Sequence, residues 1–277
     1  MRAAFHAAIA LGFTTMACNA LLGIDDQHLR PDAQGPAAAV DGGTADGSAA
    51  DAGDADGGGA YVEAVMNDGP AFYVRFDDLA GPSAAETVAH LDGTYPVAGA
   101  TLRAPGALLV GEDTAVQLAG SSDIRFPDGV DFAGTAPFSV EIWIRRSPND
   151  PDAFVIDHES YPRRGWSLYV SGSGAFFERW SDTEHVVAAG DGLPDDAWHH
   201  LVGSYDGQTM SLYIDGALGE SKPAAKSIVA VTGGWTVGGQ NCVCTSNYLN
   251  GAIDELAIYD HALAPSRIAA HYHASGR

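Results

Sequence analysis

Positive charge is scarce in this sequence: 14 Lys and Arg stand against 36 Asp and Glu, giving a formal net charge of −22. Such a field repels phosphate backbones and excludes nucleic acid as a partner. Aromatic residues are missing altogether from residues 19–60, which are dominated by Ala, Gly and Asp. A segment without large apolar groups cannot offset its ordering entropy by burial, so 19–60 is expected to be disordered. A long hydrophobic run is missing too. The longest, Ala3 to Ala17, has 15 residues and is interrupted by Thr14 and Thr15, short of the roughly 20 that cross a bilayer. Cysteine occurs three times, at positions 18, 242 and 244. A zinc site needs about four ligands, and no second Cys or His pair lies near the last two.

What is present divides the chain. Arg2 followed by Ala3–Ala17 reads as an export signal over residues 1–17. It ends in Thr15-Met16-Ala17-Cys18, which resembles the lipobox of bacterial lipoproteins. The resemblance implies cleavage before Cys18 and a lipid on its thiol, although Thr15 stands where Leu is usual; the alternative is an ordinary signal peptide with Cys18 incidental. Residues 18–60 then form an acidic spacer, with eight acids against Arg30 alone. As a Gly-rich coil it would span on the order of 35 Å. Asn19 after the cysteine resembles the outer-membrane sorting signal of enteric bacteria. The expected location is therefore the cell envelope, as an outer-membrane lipoprotein facing the periplasm or the cell surface, with the membrane touched through the lipid alone.

From residue 61 to 277, short apolar runs alternate with Gly, Pro and Asp. Strands are expected at Phe72–Asp77, Ala107–Val110, Thr114–Leu118, Phe138–Arg145, Ala153–Asp157, Trp166–Ser171, Ala175–Trp180, Trp198–Tyr205, Thr209–Asp215, Trp235–Gly238 and Ile253–Tyr259. A helix is expected only at the C-terminus, over Ser266–Ala274 after Pro265. Asp206-Gly207 and Asp215-Gly216 mark tight turns. Between them Met210, Leu212 and Ile214 share one face; likewise Phe138, Val140, Ile142 and Ile144 point opposite to Glu141, Trp143 and Arg145. The order of YVEAVMNDGPAFYVRFDD, APFSVEIWIRR, AWHHLVGSYDGQTMSLYIDG and LNGAIDELAIYDHALAPSRIAAHY resembles the laminin-G-type, concanavalin A-like domains of bacterial surface proteins. The resemblance implies an all-β fold, a two-sheet antiparallel jelly-roll sandwich with first and last strands adjacent. It also implies a module that binds carbohydrate or protein.

Catalytic chemistry is hard to find. Glycosidases need two carboxylates about 5–10 Å apart across the scissile bond, and no strand carries a Glu-x-Asp-x-x-Glu run. Asp157 and Glu159 have alternate spacing but are placed at a strand end. No Gly-x-Ser-x-Gly elbow occurs. The reading is that the protein is not an enzyme. His199 and His200 face opposite ways on one strand, which argues against a shared metal, and His271 and His273 fall at an expected frayed end. Cys242 and Cys244 could close a local disulfide in an oxidising compartment, the alternatives being an intermolecular bond, free thiols or a metal. Many domains of the resembled type hold a structural calcium. Here its expected ligands are Asp77, Asp78, Asp254 and Glu255, the alternative being solvated or salt-bridged acids.

Sugar-binding faces present rigid aromatics beside planar hydrogen-bonding groups. Alternation assigns Glu141, Trp143, Arg145, Tyr169, Phe177, Arg179 and Tyr213 to such a face, with Glu178 and Trp180 as the other phase of one strand. Tyr161, Arg163 and Arg164 add a basic spot. The expected function is recognition of a polysaccharide or glycoprotein, the rival being a structural or protein-interaction module with no small ligand.

Overall fold

Two antiparallel sheets face one another across a common core. In the first, β14 (Ala217–Pro223), β13 (Thr209–Ile214), β12 (Trp198–Tyr205), β7 (Phe138–Arg146), β16 (Asn250–Tyr259), β5 (Thr114–Ala119) and β4 (Ala100–Pro105) follow one another from edge to edge. The short β1 (Phe72–Val74) adds to β16, which places the first and last strands side by side. The second sheet runs β11 (His185–Asp191), β10 (Gly174–Trp180), β9 (Arg164–Ser171), β8 (Ala153–Ser160), β15 (Trp235–Val237), β6 (Ile124–Phe126), β3 (Gly93–Thr94) and β2 (Ser83–Ala84). The computed structural model describes residues 59–148, 150, 152–160, 164–181, 183–241 and 247–277. Cys18, Tyr161, Arg163, Cys242 and Cys244 lie outside the described residues, as do the signal and nearly all of the spacer.

Period two builds the core. Phe138, Val140, Ile142 and Ile144 of β7 and Met210, Leu212 and Ile214 of β13 point inward, as their alternation requires, and meet Trp166, Leu168, Val170 and Phe177 from the other sheet. The packing is close enough to need a glycine. A Cβ on Gly203 of β12 would lie 2.7 Å from the Phe177 ring, so an aromatic on β10 reaches the opposite backbone only because that position has no side chain.

Two helices were not both foreseen. The C-terminal one, α2 (Pro265–Ala274), has Pro at its first turn as expected. The other, α1 (Gly59–Asn67), begins inside the segment read as spacer and buries Tyr61 and Val65. Both lie on the outer face of the first sheet, where Tyr61, Val65 and Ile268 join Trp143, Val202 and Tyr259 in a second apolar cluster. Ala107–Val110, expected as a strand, is a loop. Its amides go to Asp254 and to the Ser275 carbonyl instead of to a neighbouring strand. The extra strands β2, β3, β4, β6, β11 and β14 are two or three residues long or mostly solvent-facing, so they bury little of their sequence.

Candidate functional site

The outer face of the second sheet carries the side chains opposite its core: Phe154, Asp157 and Glu159 on β8, Ser167 and Tyr169 on β9, and Phe176, Glu178 and Trp180 on β10. Antiparallel register fixes who meets whom, with Phe176 opposite Tyr169, Glu178 opposite Ser167, and Trp180 opposite His185. Tyr169 stacks on Phe176, centroids 4.7 Å apart, and leans on Phe154 at 5.8 Å. Trp180 and His185 stack 3.4 Å apart and nearly parallel. Between these aromatic pairs lies Glu178. Its carboxylate accepts from Ser167 Oγ at 3.3 Å and Trp180 Nε1 at 3.4 Å, and faces His185 Nε2 at 3.1 Å. Burial first, and Glu178 second, push the Tyr169 phenol well above its usual range. Ser167 also donates to Glu159 at 2.8 Å, so one hydroxyl spans two carboxylates. Further along, the Asn241 amide donates to Asp157 at 2.8 Å. A shallow cavity of about 180 Å³ opens there against Arg125, Trp235, Thr236 and Asn241.

Of the seven residues assigned to a ligand face, this surface receives Tyr169 alone. Phe177 and Arg179 belong to the other phase of β10. Phe177 is core, and the Arg179 guanidinium lies 4.2 Å over the Tyr205 ring and donates to the carbonyls of Lys226 and Gly134. Glu178 and Trp180, the alternative phase, are on the outer side, Glu178 buried and Trp180 partly exposed. Glu141, Trp143, Arg145 and Tyr213 do point away from the core, but on the first sheet, where α1 and α2 cover Glu141 and Trp143 and Tyr213 joins the apolar cluster there. Trp143 has no exposed surface, and Arg145 sits 5.4 Å over the Trp198 ring. Alternation gives the side of a sheet and says nothing of what packs on that side. Asp157 and Glu159 also differ from expectation, since β8 continues to Ser160 and holds both within the strand.

Under the helices lies a buried polar network. Glu141 accepts from Tyr259 Oη at 2.6 Å and meets His200 Nε2 at 3.2 Å and His271 Nδ1 at 3.0 Å. The other nitrogen of His271 reaches Asp68 at 2.8 Å, and Arg267 holds the same carboxylate at 2.8 Å. Burial raises the Glu141 carboxyl, but His271 and His200 outweigh it and hold the group well below the usual carboxylate range. Burial lowers the His271 imidazole, while Glu141 and Asp68 more than reverse this. His271, expected at a frayed end, is thus the pivot between both helices and the sheet.

The family model of the laminin-G type, described as the concanavalin A-like lectin/glucanases superfamily, matches residues 118–269. The chain belongs to this superfamily. Among solved structures, this laminin-G-type sandwich is similar to domain 4 of an extracellular arabinanase from Geobacillus stearothermophilus, in complex with arabinotriose. That match has a TM-score of 0.56 and 20% identity over 73% of this chain and 98% of that one. It is also similar to the botulinum neurotoxin serotype D binding domain (TM-score 0.60, 15% identity, 76% of this chain). The ligand-binding domain of the same serotype, in complex with N-acetylneuraminic acid, gives a TM-score of 0.59 and 16% identity over 77% of this chain. The chain spans about half the length of these toxin domains, 52% in both cases. No curated protein matches the sequence. Neighbours of the laminin-G-type sandwich are thus mostly carbohydrate-binding or receptor-binding domains.

The acidic residues expected to hold calcium gather at the end of the laminin-G-type sandwich formed by β1, β5 and β16, with one exchange. Asp78 turns away to Tyr95 Oη, 2.7 Å, and the Ala85 amide. In its place stands Asp113, whose carboxylate lies with those of Asp77 and Glu255 so that one oxygen from each falls within 4.8 Å of the others. Asp254 adjoins Asp113, and burial, then Glu255 and Asp113, raise its carboxyl far above the usual range. All donors are carboxylate oxygens, a chemistry suited to a hard cation. The seat is nevertheless filled from within. Arg75 bonds Asp77 at 2.9 Å and Glu255 at 3.1 Å and lies 3.8 Å from Asp113. Asp113 and Asp254 hydrogen-bond each other, so few carboxylate oxygens stay open where a calcium ion takes about six to eight. As arranged, the cluster does not fit the ion. Asp113 escaped the sequence reading because it stands in a turn, far along the chain from its partners.

Proposed function

We propose that the outer face of the second sheet recognises carbohydrate without cleaving it, and that the chain displays this face from a lipid anchor at Cys18 in the cell envelope. The observation that carries the reading is the partly exposed Trp180–His185 stack beside Glu178. A flat aromatic surface takes the apolar face of a pyranose, and the buried Glu178 carboxylate holds the Trp180 and His185 rings in place beneath it. Asp157, Glu159 and Glu178 lie buried just beneath this face, and their field favours neutral sugars over uronates and sialates. The same carboxylates are the reason to exclude cleavage by experiment. Glu159 and Glu178 are bridged by one hydroxyl, and Glu178 also takes the Trp180 N–H, so they serve as fixed acceptors in this reading.

The test is a glycan array probed with the full chain, followed by titration calorimetry on the hits. Neutral glycans are expected to bind, and Trp180→Ala to weaken them by roughly 30-fold, the effect of losing a central aromatic contact. Binding of no glycan would favour a protein-interaction module. Release of reducing ends from a bound oligosaccharide would make the protein a hydrolase. For the anchor, palmitate labelling in the native host is expected in the wild type and lost in Cys18→Ala. Equal labelling would remove the lipid.

A further inference from the structure

The acidic cluster poses its own question, independent of the carbohydrate reading. Four carboxylates, those of Asp77, Asp113, Asp254 and Glu255, converge where β1, β5 and β16 meet. The side chains of Asp113, Asp254 and Glu255 are almost wholly inaccessible to water. Unpaired charges at such depth are expensive. The fold also works to bring them together. Asp254 and Glu255 are consecutive, and consecutive residues of a regular strand face opposite ways. A bulge in β16 between Asp254 and Ala257, with Glu255 at a φ of +49°, puts both on the same side. That backbone region is disfavoured for a side chain of this size, so the convergence is built rather than incidental.

Each acid is anchored by one oxygen; Asp77, Asp113 and Glu255 aim the other at Arg75, and Asp254 turns its own to Asp113. Asp77 takes the Thr114 amide and hydroxyl, Asp113 the Leu108 amide, Asp254 the Ala107 amide, and Glu255 the Tyr73 hydroxyl. The geometry is that of an oxygen cage closed around one positive charge, and the positive charge on the inward oxygens of Asp77 and Glu255 is a side chain. We propose that the Arg75 guanidinium is the resident cation of this cage and occupies the seat that a hard divalent ion would otherwise take. The Asp113 oxygen that it does not bond, 3.8 Å away, marks what such an ion would gain if the guanidinium were withdrawn. The domain is then independent of metal as it stands, and one substitution converts it into a calcium-dependent one.

The experiment uses the full chain stripped of metal, with wild type, Arg75→Met, Arg75→Lys and the double variant Arg75→Met/Asp113→Asn. Thermal unfolding is followed with EDTA and with millimolar calcium, and terbium luminescence is recorded as a direct readout of occupancy. Wild type and Arg75→Lys are expected to change their Tm by less than about 1 °C on adding calcium. Arg75→Met should melt early in EDTA and recover by about 5–10 °C at calcium roughly 100-fold above its Kd. It should also bind terbium saturably, in competition with calcium, and lose that signal in the double variant. Two results would overturn the proposal: a wild type stabilised by calcium through a terbium site, since the ion would then sit beside the guanidinium, or an Arg75→Met protein that gains nothing from calcium. Failure of Arg75→Met to fold in calcium as well as in EDTA counts with the second.

Discussion

Glu141→Ala is expected to destabilise this protein by about 3–5 kcal/mol, the cost of removing one partner from a buried charged network. The carboxylate has no exposed surface and serves three groups at once, Tyr259, His200 and His271. Deleting it strands all three beneath α1 and α2 and leaves a cavity between the helices and β7. The effect should also depend on pH in a defined way. The folded-state value of Glu141 is depressed, so its contribution is present above the unfolded value of about 4.5 and is lost as pH falls. The folded-state value of His271 is raised, so its contribution is complete below about 6.5 and is lost as pH rises through the folded value. The gap in unfolding free energy between wild type and His271→Asn should therefore be widest between these limits and shrink on either side. Urea unfolding across that range measures it. A Glu141→Ala protein within about 1 kcal/mol of wild type would mean that the helices are held by apolar contact alone.

Phe177→Ala is the second large effect, and its value lies in being paired with Trp180→Ala. The two residues are on one strand, three apart, and face opposite sides of the second sheet. Phe177 fills the space over Gly203 and packs against Phe138 with centroids 5.8 Å apart. Truncation should cost about 3–5 kcal/mol, as for a buried aromatic in a well-packed core, and leave glycan affinity unchanged in the folded fraction. Trp180→Ala should do the reverse, with unfolding free energy changed by about 1 kcal/mol or less and binding weakened roughly 30-fold. If Phe177→Ala abolished binding in a protein still fully folded, the outer face of this sheet would not be the recognition surface.

The sandwich could be read from the sequence because β7 and β13 obey period two and present their aliphatic residues to the core as their alternation states. The ligand face could not be read in the same way, for two physical reasons. On β10, Phe176 and Phe177 are adjacent and both apolar, so Glu178 and Arg179 decide the phase only if one knows that Arg179 can lie flat on Tyr205 and reach two carbonyls. On β7, the alternation was right and the exposure wrong, because α1 stands among small residues and gives little sign of itself before Tyr61. Asp113 and Asp68 show the same limit from the other side. Each acts through partners far along the chain, and no local pattern marks it.

The clamp formed by Asp68, Arg267 and His271 has a mechanical corollary. It fastens the first and last helices of the domain to one side of the sandwich, while the Trp180–His185 face belongs to the other. Tension applied at residue 59 would be borne first by two ion pairs and a helix seam on the rear sheet. The front sheet would stay unstrained on the side away from α1, so a load strong enough to peel α1 would still leave the Trp180–His185 face intact.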